Sequence, residues 1–329
     1  PSKTGVIMLP SKTSTLVKLP LAAWGPAQAN QNGTSAKGQS YRIHATKPIS
    51  VFQFNPLQTS NAFSGDSSML RPSNALGKEY LVMTRKQTSE TMRGFVTVVA
   101  TRPGKTQVTV TASAQTLAGD AIKALKKGES VSVSLTLGQV LNIESGANGA
   151  DLTGTRVVAS QPVAVFAGSE AAHSPNTDVC LAVPGGGACN GTGKACKVDG
   201  DCVETCCADH LEEQLPPISA WGKIHVATRL QARGKEQDTW RILAAQDGTK
   251  VFRVPSVVPM ATLQSGEWLE FNTKSDLLIV ADKPVLVGQF MASSGLTGNG
   301  AAGDPAMMFA TPVSAMGERH HFGVPTHFT

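Results

Sequence analysis

Apolar and polar residues alternate on either side of a Gly-containing turn in VVATRPGKTQVTVT (98–111) and again in ILAAQDGTKVFRV (242–254). Period-two alternation is the signature of a half-buried strand, and strand–turn–strand is the sequence form of a β-hairpin. A hairpin is therefore expected at each place. A second pattern occurs three times: IHATKPISVFQF (43–54), VVASQPVAVFAG (157–168) and IVADKPVLVGQF (279–290). Pro48, Pro162 and Pro284 share one slot, where a strand can start without needing its N–H. Apolar residues of both parities follow the proline, which predicts a strand buried on both faces.

Between these copies lies another repeated motif: PSNALGKEYLVMT (72–84), PPISAWGKIHVAT (216–228) and TPVSAMGERHHFG (311–323). Pro72, Pro217 and Pro312 align, as do Gly77, Gly222 and Gly317. A Leu-x-x-Gly-Glu turn stands at Leu125–Glu129 and at Leu263–Glu267, and acidic turns place Asp66, Asp209 and Asp304 in similar slots. Aspartate in such a turn ordinarily accepts backbone N–H groups; a calcium or ligand role is the alternative.

The order of motifs predicts an all-β chain of tandem, pseudo-repeated, antiparallel β-sandwich-like modules with a disulfide-rich insertion. A divergent or truncated first module occupies 1–71. Complete modules follow at 72–216 and 217–311, and 312–329 begins a further truncated one. The expectation is a piece of a longer repeat protein.

Composition agrees with strands rather than long helices. Charged residues are 16% of the 329, against about 25% in an average soluble domain. No apolar run is long enough for a membrane-spanning helix. Residues 1–150 hold 16 Lys and Arg against 6 Asp and Glu, a balance of +10; residues 151–329 hold 13 against 18, a balance of −5. The basic half lacks clustered lysines, and aromatic residues are 5% of the chain, so nucleic-acid recognition by base stacking is excluded. The split instead suggests head-to-tail self-association, the basic half of one copy on the acidic half of the next.

Six cysteines, Cys180, Cys189, Cys196, Cys202, Cys206 and Cys207, fall within 28 residues. Their spacing suits a local disulfide framework, formed in an oxidising, extracellular or cell-surface setting, better than the paired ligands of a zinc site. The expected pairing is 189–202 and 196–206, with 180–207 closing the base. The segment 171–207 holds little that is apolar, so cross-links must shape it. Asp199 and Asp201 leave calcium open as a cofactor, although the EF-hand loop and its terminal Glu are missing.

Chemistry is otherwise sparse. GNGAAG (298–303) matches the dinucleotide pattern G-x-G-x-x-G but lacks the adjoining strand and helix. No P-loop, H-E-x-x-H or G-x-S-x-G stretch is present. His320 and His321 fall on opposite sides of a strand and cannot easily share a metal. Asp209, His210, Glu212 and Glu213 form the densest polar cluster, either a hydrogen-bonded junction before the third module or, through Asp209, His210 and Glu213, a metal or acid–base candidate for an enzyme reading. No catalytic residue is expected. Asn32 and Asn190 are sequons.

The stretches YRIHATKPISVFQFNPL (41–57), ALGKEYLVMT (75–84), DLTGTRVVASQPVAVFAG (151–168), CCADHLEEQLPPISAWG (206–222) and ADKPVLVGQF (281–290) resemble the N-terminal domain family of IgG-Fc-binding proteins, which includes bacterial secreted and surface relatives. The resemblance covers roughly residues 30–329 and implies an adhesive, structural or binding role outside the cell. It transfers no binding residues. A protein or glycan ligand held by the Cys-rich loop is the alternative to an adhesive or filament-forming role.

Overall fold

The structure is a computed structural model that describes residues 5–10, 13–17, 19, 31–55, 65–256, 258–298, 303 and 305–318. Three short strands come first: β1 (Ser35–Gln39), β2 (Phe52–Asn55) and β3 (Asp66–Met69). Next come β4 (Gly77–Leu81), β5 (Gly94–Ala100), β6 (Lys105–Thr111), β7 (Ser130–Thr136), β8 (Gln139–Glu144) and the long β9 (Arg156–Ala172). An excursion forms β10 (Cys180–Val183), β11 (Gly186–Cys189) and β12 (Ala195–Cys196) before β13 (Asp209–Gln214). The remainder is β14 (Gly222–Ala227), β15 (Asp238–Ala244), β16 (Thr249–Val254), β17 (Ala261–Leu263), β18 (Trp268–Thr273), the long β19 (Leu277–Phe290) and β20 (Met307–Phe309). The described residues contain no α-helix.

The two long strands organise everything else. The first part of β9 (Arg156–Ala159) is flanked by β6 and β4, and its second part by β5 and β13. In the same way β19 is flanked first by β16 and β14, then by β15 and β20. Each long strand is thus shared by two sheets, β7-β6-β9-β4 with β8-β5-β9-β13, and β17-β16-β19-β14 with β18-β15-β19-β20. All pairs are antiparallel, and the two sets match strand for strand. In the first set β1 adds itself to the outer edge of β8.

Pro162 and Pro284 lie inside these strands, not at their starts. They mark the place where one flanking strand gives way to the next, and a residue without an N–H fits such a gap in the ladder. Beyond them, residues 163–165 and 285–290 are buried on both faces, as the sequence predicts. The first copy differs. There the strand begins at Phe52, pairs only with β3 among the described residues, and leaves Phe52 and Phe54 exposed.

Neither expected hairpin forms. β5 and β6 do not pair with each other, nor do β15 and β16; each pair is an arch whose two strands bind different parts of the same long strand. Gly104 (φ 85°) and Gly248 (φ 67°) make the arch turns. The Leu-x-x-Gly-Glu alignment is also displaced. Leu263–Glu267 links β17 to β18, and the segment that links β7 to β8 is Leu135–Gln139, not Leu125–Glu129. Gln139 Oε1 accepts the Thr136 N–H at 2.7 Å as Glu267 Oε2 accepts that of Gln264 at 2.8 Å. Ala100 O and Ala244 O, equivalent by register, accept from Gly138 and Gly266.

One apolar core fills each sandwich: Val96, Val98, Val108, Leu141, Val157 and Val165 in the first, Trp240, Ile242, Val251, Ile279 and Val287 in the second. A third cluster joins them, in which Leu81, Met83 and Leu211 meet Trp221, Leu243, Leu286 and Phe290. At about 1.5–3 kcal/mol for each large side chain fully buried, this interface ties the sandwiches together.

The repeated Pro-to-Gly motif makes a second tie. Pro72, Pro217 and Pro312 each open a tight turn, their carbonyls accepting from Ala75, Ala220 and Ala315 at 2.8–2.9 Å. A Cβ built at Gly77 would fall on the Pro217 ring, and one at Gly222 on the Pro312 ring. Each glycine is therefore the seat for the proline that opens the next turn. Gly222→Val is expected to cost about 1–3 kcal/mol through overpacking against Pro312. Gly200→Ala, where an added Cβ meets nothing within 4 Å, is the neutral control. Urea unfolding midpoints check both.

Candidate functional site

The excursion between β9 and β13 is a small three-stranded sheet whose interior is made of cystine. Cys180 bonds Cys196, Cys189 bonds Cys202, and Cys206 bonds its neighbour Cys207 across a cis peptide bond. The expected 189–202 pair forms, whereas 196–206 and 180–207 do not. The reason lies in the sheet. Gly187 on the central strand pairs with Cys196, and a Cβ there would stand 2.8 Å from Cys180 Sγ. The missing side chain lets the 180–196 bridge cross β11. Cys206 lies elsewhere, where its carbonyl accepts the Gly295 N–H at 2.6 Å.

Asp199 Oδ1 accepts the Cys180 N–H at 2.7 Å, and Asp201 Oδ2 accepts those of Lys197 and Val198 at 2.7 and 3.2 Å. These backbone bonds hold the Asp201 carboxyl below its usual range. Both acids therefore shape turns. The insert presents apolar side chains outward: Val203 is 74% exposed and Val198 62%, with Leu181 and Val183 also exposed. It is anchored to the body on both sides. Glu204 accepts from Thr177, and Asn190 Oδ1 accepts from Asn272 on β18 at 2.6 Å. At its base a cavity of about 240 Å³ is lined by Ser89, Met92, His173, Asp178 and Glu204 among others. Lys86 occupies Asp178 at 2.7 Å. Burial pushes the His173 pKa down.

The polar cluster at 209–214 sits on β13, where strand alternation separates its members. His210 and Glu212 face β2. Glu212 accepts from Gln53 and, at 3.0 Å, from Asn55; His210 Nε2 is 3.8 Å from Glu212 and stacks on Phe95. Glu213 turns to Ser68, whose hydroxyl donates to it at 2.8 Å. Asp209 accepts its neighbour's N–H at 2.7 Å. The sequence triad Asp209–His210–Glu213 is thus not a convergent triad. Asp66 holds three edges together: Oδ1 takes the Ser67 N–H, and Oδ2 takes those of Glu212 and Met307, each at 3.1 Å. Burial raises the Asp66 pKa to about 6 and that of Glu213 to about 8. Burial opposes charge on His210, but Glu212 and Asp66 outweigh it and its pKa is raised. Asp304, His320 and His321 lie outside the described residues.

Among the described residues, the one group of three ligand-type side chains with donor atoms within 4.8 Å is Cys180, Cys196 and Cys202. All three sulfurs are in disulfides, which leaves no thiolate for a metal.

A buried ionic network escapes the sequence patterns. Arg241 on β15 donates to Asp151 and Glu270 at 2.7 Å each, and to Thr84 O and Thr153 Oγ1 at 2.7 Å; its guanidinium stacks 3.8 Å from the Trp268 ring centre. Arg85 reaches Glu270 at 2.6 Å and Asn176 at 2.9 Å. Arg85 and Asp151 belong to the first sandwich, Arg241 and Glu270 to the second. Register pairs Arg241 with Glu270 as it pairs Thr97 with Asn142. The detectable signal was a polar residue between two apolar ones at the same slot of both strands, Thr97 on β5 and Arg241 on β15.

Two sandwiches, each built on one long strand that its two sheets share, with a cystine-cored insert at their junction, define a disulfide-stabilised β-repeat protein. The chain belongs to the IgGFc binding protein family, whose profile matches residues 66–329. It is 26% identical over 290 residues to the human IgGFc-binding protein. That match covers 88% of this chain and 5% of the human protein, so the chain spans a small part of that relative's length. No solved structure matches. The family is one of binding proteins.

Proposed function

We propose that this chain is a non-enzymatic, extracellular surface or matrix protein, an adhesive or filament-forming structural repeat with modules at 72–216 and 217–311. The seating of Pro217 on Gly77 and of Pro312 on Gly222 carries this reading, because the same joint recurs from one module to the next. The disulfides favour an oxidising compartment. The side chains of Asp209, His210 and Glu213 are spent on hydrogen bonds and packing rather than presented to a cleft, which weighs against the metal-enzyme alternative. Electron microscopy of native material at low and high salt tests the reading. Regular filaments that dissolve at high salt are expected from head-to-tail contact between the basic and acidic halves; dispersed monomers at both would reject self-association.

A second reading is supported by the exposed Leu181, Val183, Val198 and Val203 on a cross-linked frame: the insert is a contact loop for a protein or glycan ligand. The relative's name makes antibody Fc the first probe. Replacing residues 181–205 with a short Gly-Ser linker is expected to abolish capture of immobilised Fc while the β-sheet circular dichroism persists. Unchanged capture would exclude the loop.

A further inference from the structure

We propose that the outer edge of β18 receives an extended strand from the N-terminal arm, residues 5–10, of a second copy of this chain. The inference rests on the self-association reading above and supplies its interface.

The first sandwich shows what such an edge accepts. β8 and β18 are equivalent by register: Asn142 matches Glu270, Val140 matches Trp268 and Glu144 matches Asn272. On β8 the outer edge is occupied. β1 lies antiparallel to it, with Ser35 opposite Asn142 and Gly38 opposite Val140. Side chains reinforce the pairing, since Asn142 donates to Gly33 O at 2.9 Å and Glu144 accepts the Gly33 N–H at 2.5 Å. On β18 the same edge has no strand partner among the described residues, and the insert meets it at Asn272, which donates to Asn190 at 2.6 Å. Its Trp268 is 38% exposed. An unpaired edge is a template for an extended segment, which contributes main-chain hydrogen bonds and side chains to alternate pockets.

The arm supplies the matching segment. Gly5–Pro10 reads GVIMLP and belongs to no strand. Val6 is 82% exposed and Met8 86%, unusual for large apolar side chains with β propensity. Residues 1–19 carry Lys3, Lys12 and Lys18 and no acid; beside the edge stand Glu267, Lys274 and Asp276, while Glu270 is taken up by Arg85 and Arg241. If the arm copies the direction of β1, its Val6 side lies towards Thr273 and its Pro10 side towards Glu267.

Thiol cross-linking tests this directly, because all six natural cysteines are in disulfides and an introduced cysteine is the one reactive thiol. Chains carrying V6C are mixed with chains carrying T273C and treated with a short bismaleimide, with sedimentation velocity run in parallel. A covalent heterodimer as the main product is expected, with loss of oligomers when residues 1–19 are deleted. A synthetic peptide of residues 5–19 should bind the arm-deleted chain, a readout independent of how either cysteine variant folds. Three results would overturn the proposal. Cross-linking confined within single V6C/T273C chains would assign the arm to its own edge. Oligomers without the cross-link would move the interface elsewhere and leave self-association standing. Monomers at every concentration would remove both.

Discussion

Replacing Arg241 with alanine is expected to destabilise the protein by about 3–5 kcal/mol, the usual cost of removing one partner from a buried ion pair. Arg241 is 1% exposed, and its guanidinium donates to Asp151, Glu270, Thr84 and Thr153. Burial by itself would raise the Asp151 and Glu270 pKa values; Arg241, with Arg85 at Glu270, outweighs it and holds both below their usual ranges. Without Arg241, Asp151 keeps only its threonine partners, and Glu270 depends on Arg85. Arg241→Lys is expected to recover only part of the loss, because an ammonium cannot reproduce a planar fork bonded on several sides and stacked on Trp268. The comparison is Arg156→Ala, which breaks the Arg156–Glu79 pair, 40% and 44% exposed; about 0–1 kcal/mol is expected there. Urea unfolding followed by tryptophan fluorescence measures all three. A loss at Arg241 no larger than that at Arg156 would contradict the network's role.

Alkaline pH should loosen the junction of β3, β13 and β20, and Glu213→Gln should protect it. Burial is the main cause of the rise in the Glu213 pKa from 4.5 to about 8; the Ser68 hydroxyl and Arg71 oppose it, while the Asp66 and Glu212 charges add to it. The folded state therefore holds this proton more tightly than the unfolded chain. That contribution to stability is fully present below pH 4.5 and is lost as pH rises through 8. Asp66, raised to about 6, and His210, also raised, act with the same sign. The glutamine variant keeps a neutral group of similar shape. It should match the parent near pH 4 and exceed it by roughly 2–4 kcal/mol at pH 9, given about 1.4 kcal/mol per pKa unit. Parallel stability curves across that range would show that Glu213 ionises freely in the folded protein.

The repeated strands were legible because burial on both faces forces apolar residues onto both parities, as in Val163–Phe166 and Val285–Val287. The Pro-to-Gly motif was legible too, although its meaning needed coordinates: the proline of one motif seats on the glycine of the preceding one. Pairing was less legible. A hairpin and an arch share the same strand–turn–strand pattern, and what separates β5 from β6 is β9, a strand far along the chain. The turn misalignment has a similar origin, since Leu125–Glu129, Leu135–Gln139 and Leu263–Glu267 use one local chemistry at places of different topology. Disulfide pairing depended on Gly187, which looks like any other glycine in a Gly-rich loop. Of the polar residues singled out, His210 and Glu213 lie in a junction rather than a cleft. Arg85 and Arg241 were not legible, because a lone arginine, between strands or within one, carries no motif.

The long strand shared by two sheets has a mechanical consequence. Since β9 is central to both sheets of its sandwich, as β19 is to both of its own, a pull along the chain loads two ladders through one continuous backbone. Neither sheet can be peeled while the other stays whole. Load passes from one sandwich to the next through the cluster that joins Leu81, Met83 and Leu211 to Trp221 and Phe290, and through the Arg241 network, so a tether made of such sandwiches would fail in shear, many bonds at once, rather than unzip one bond at a time.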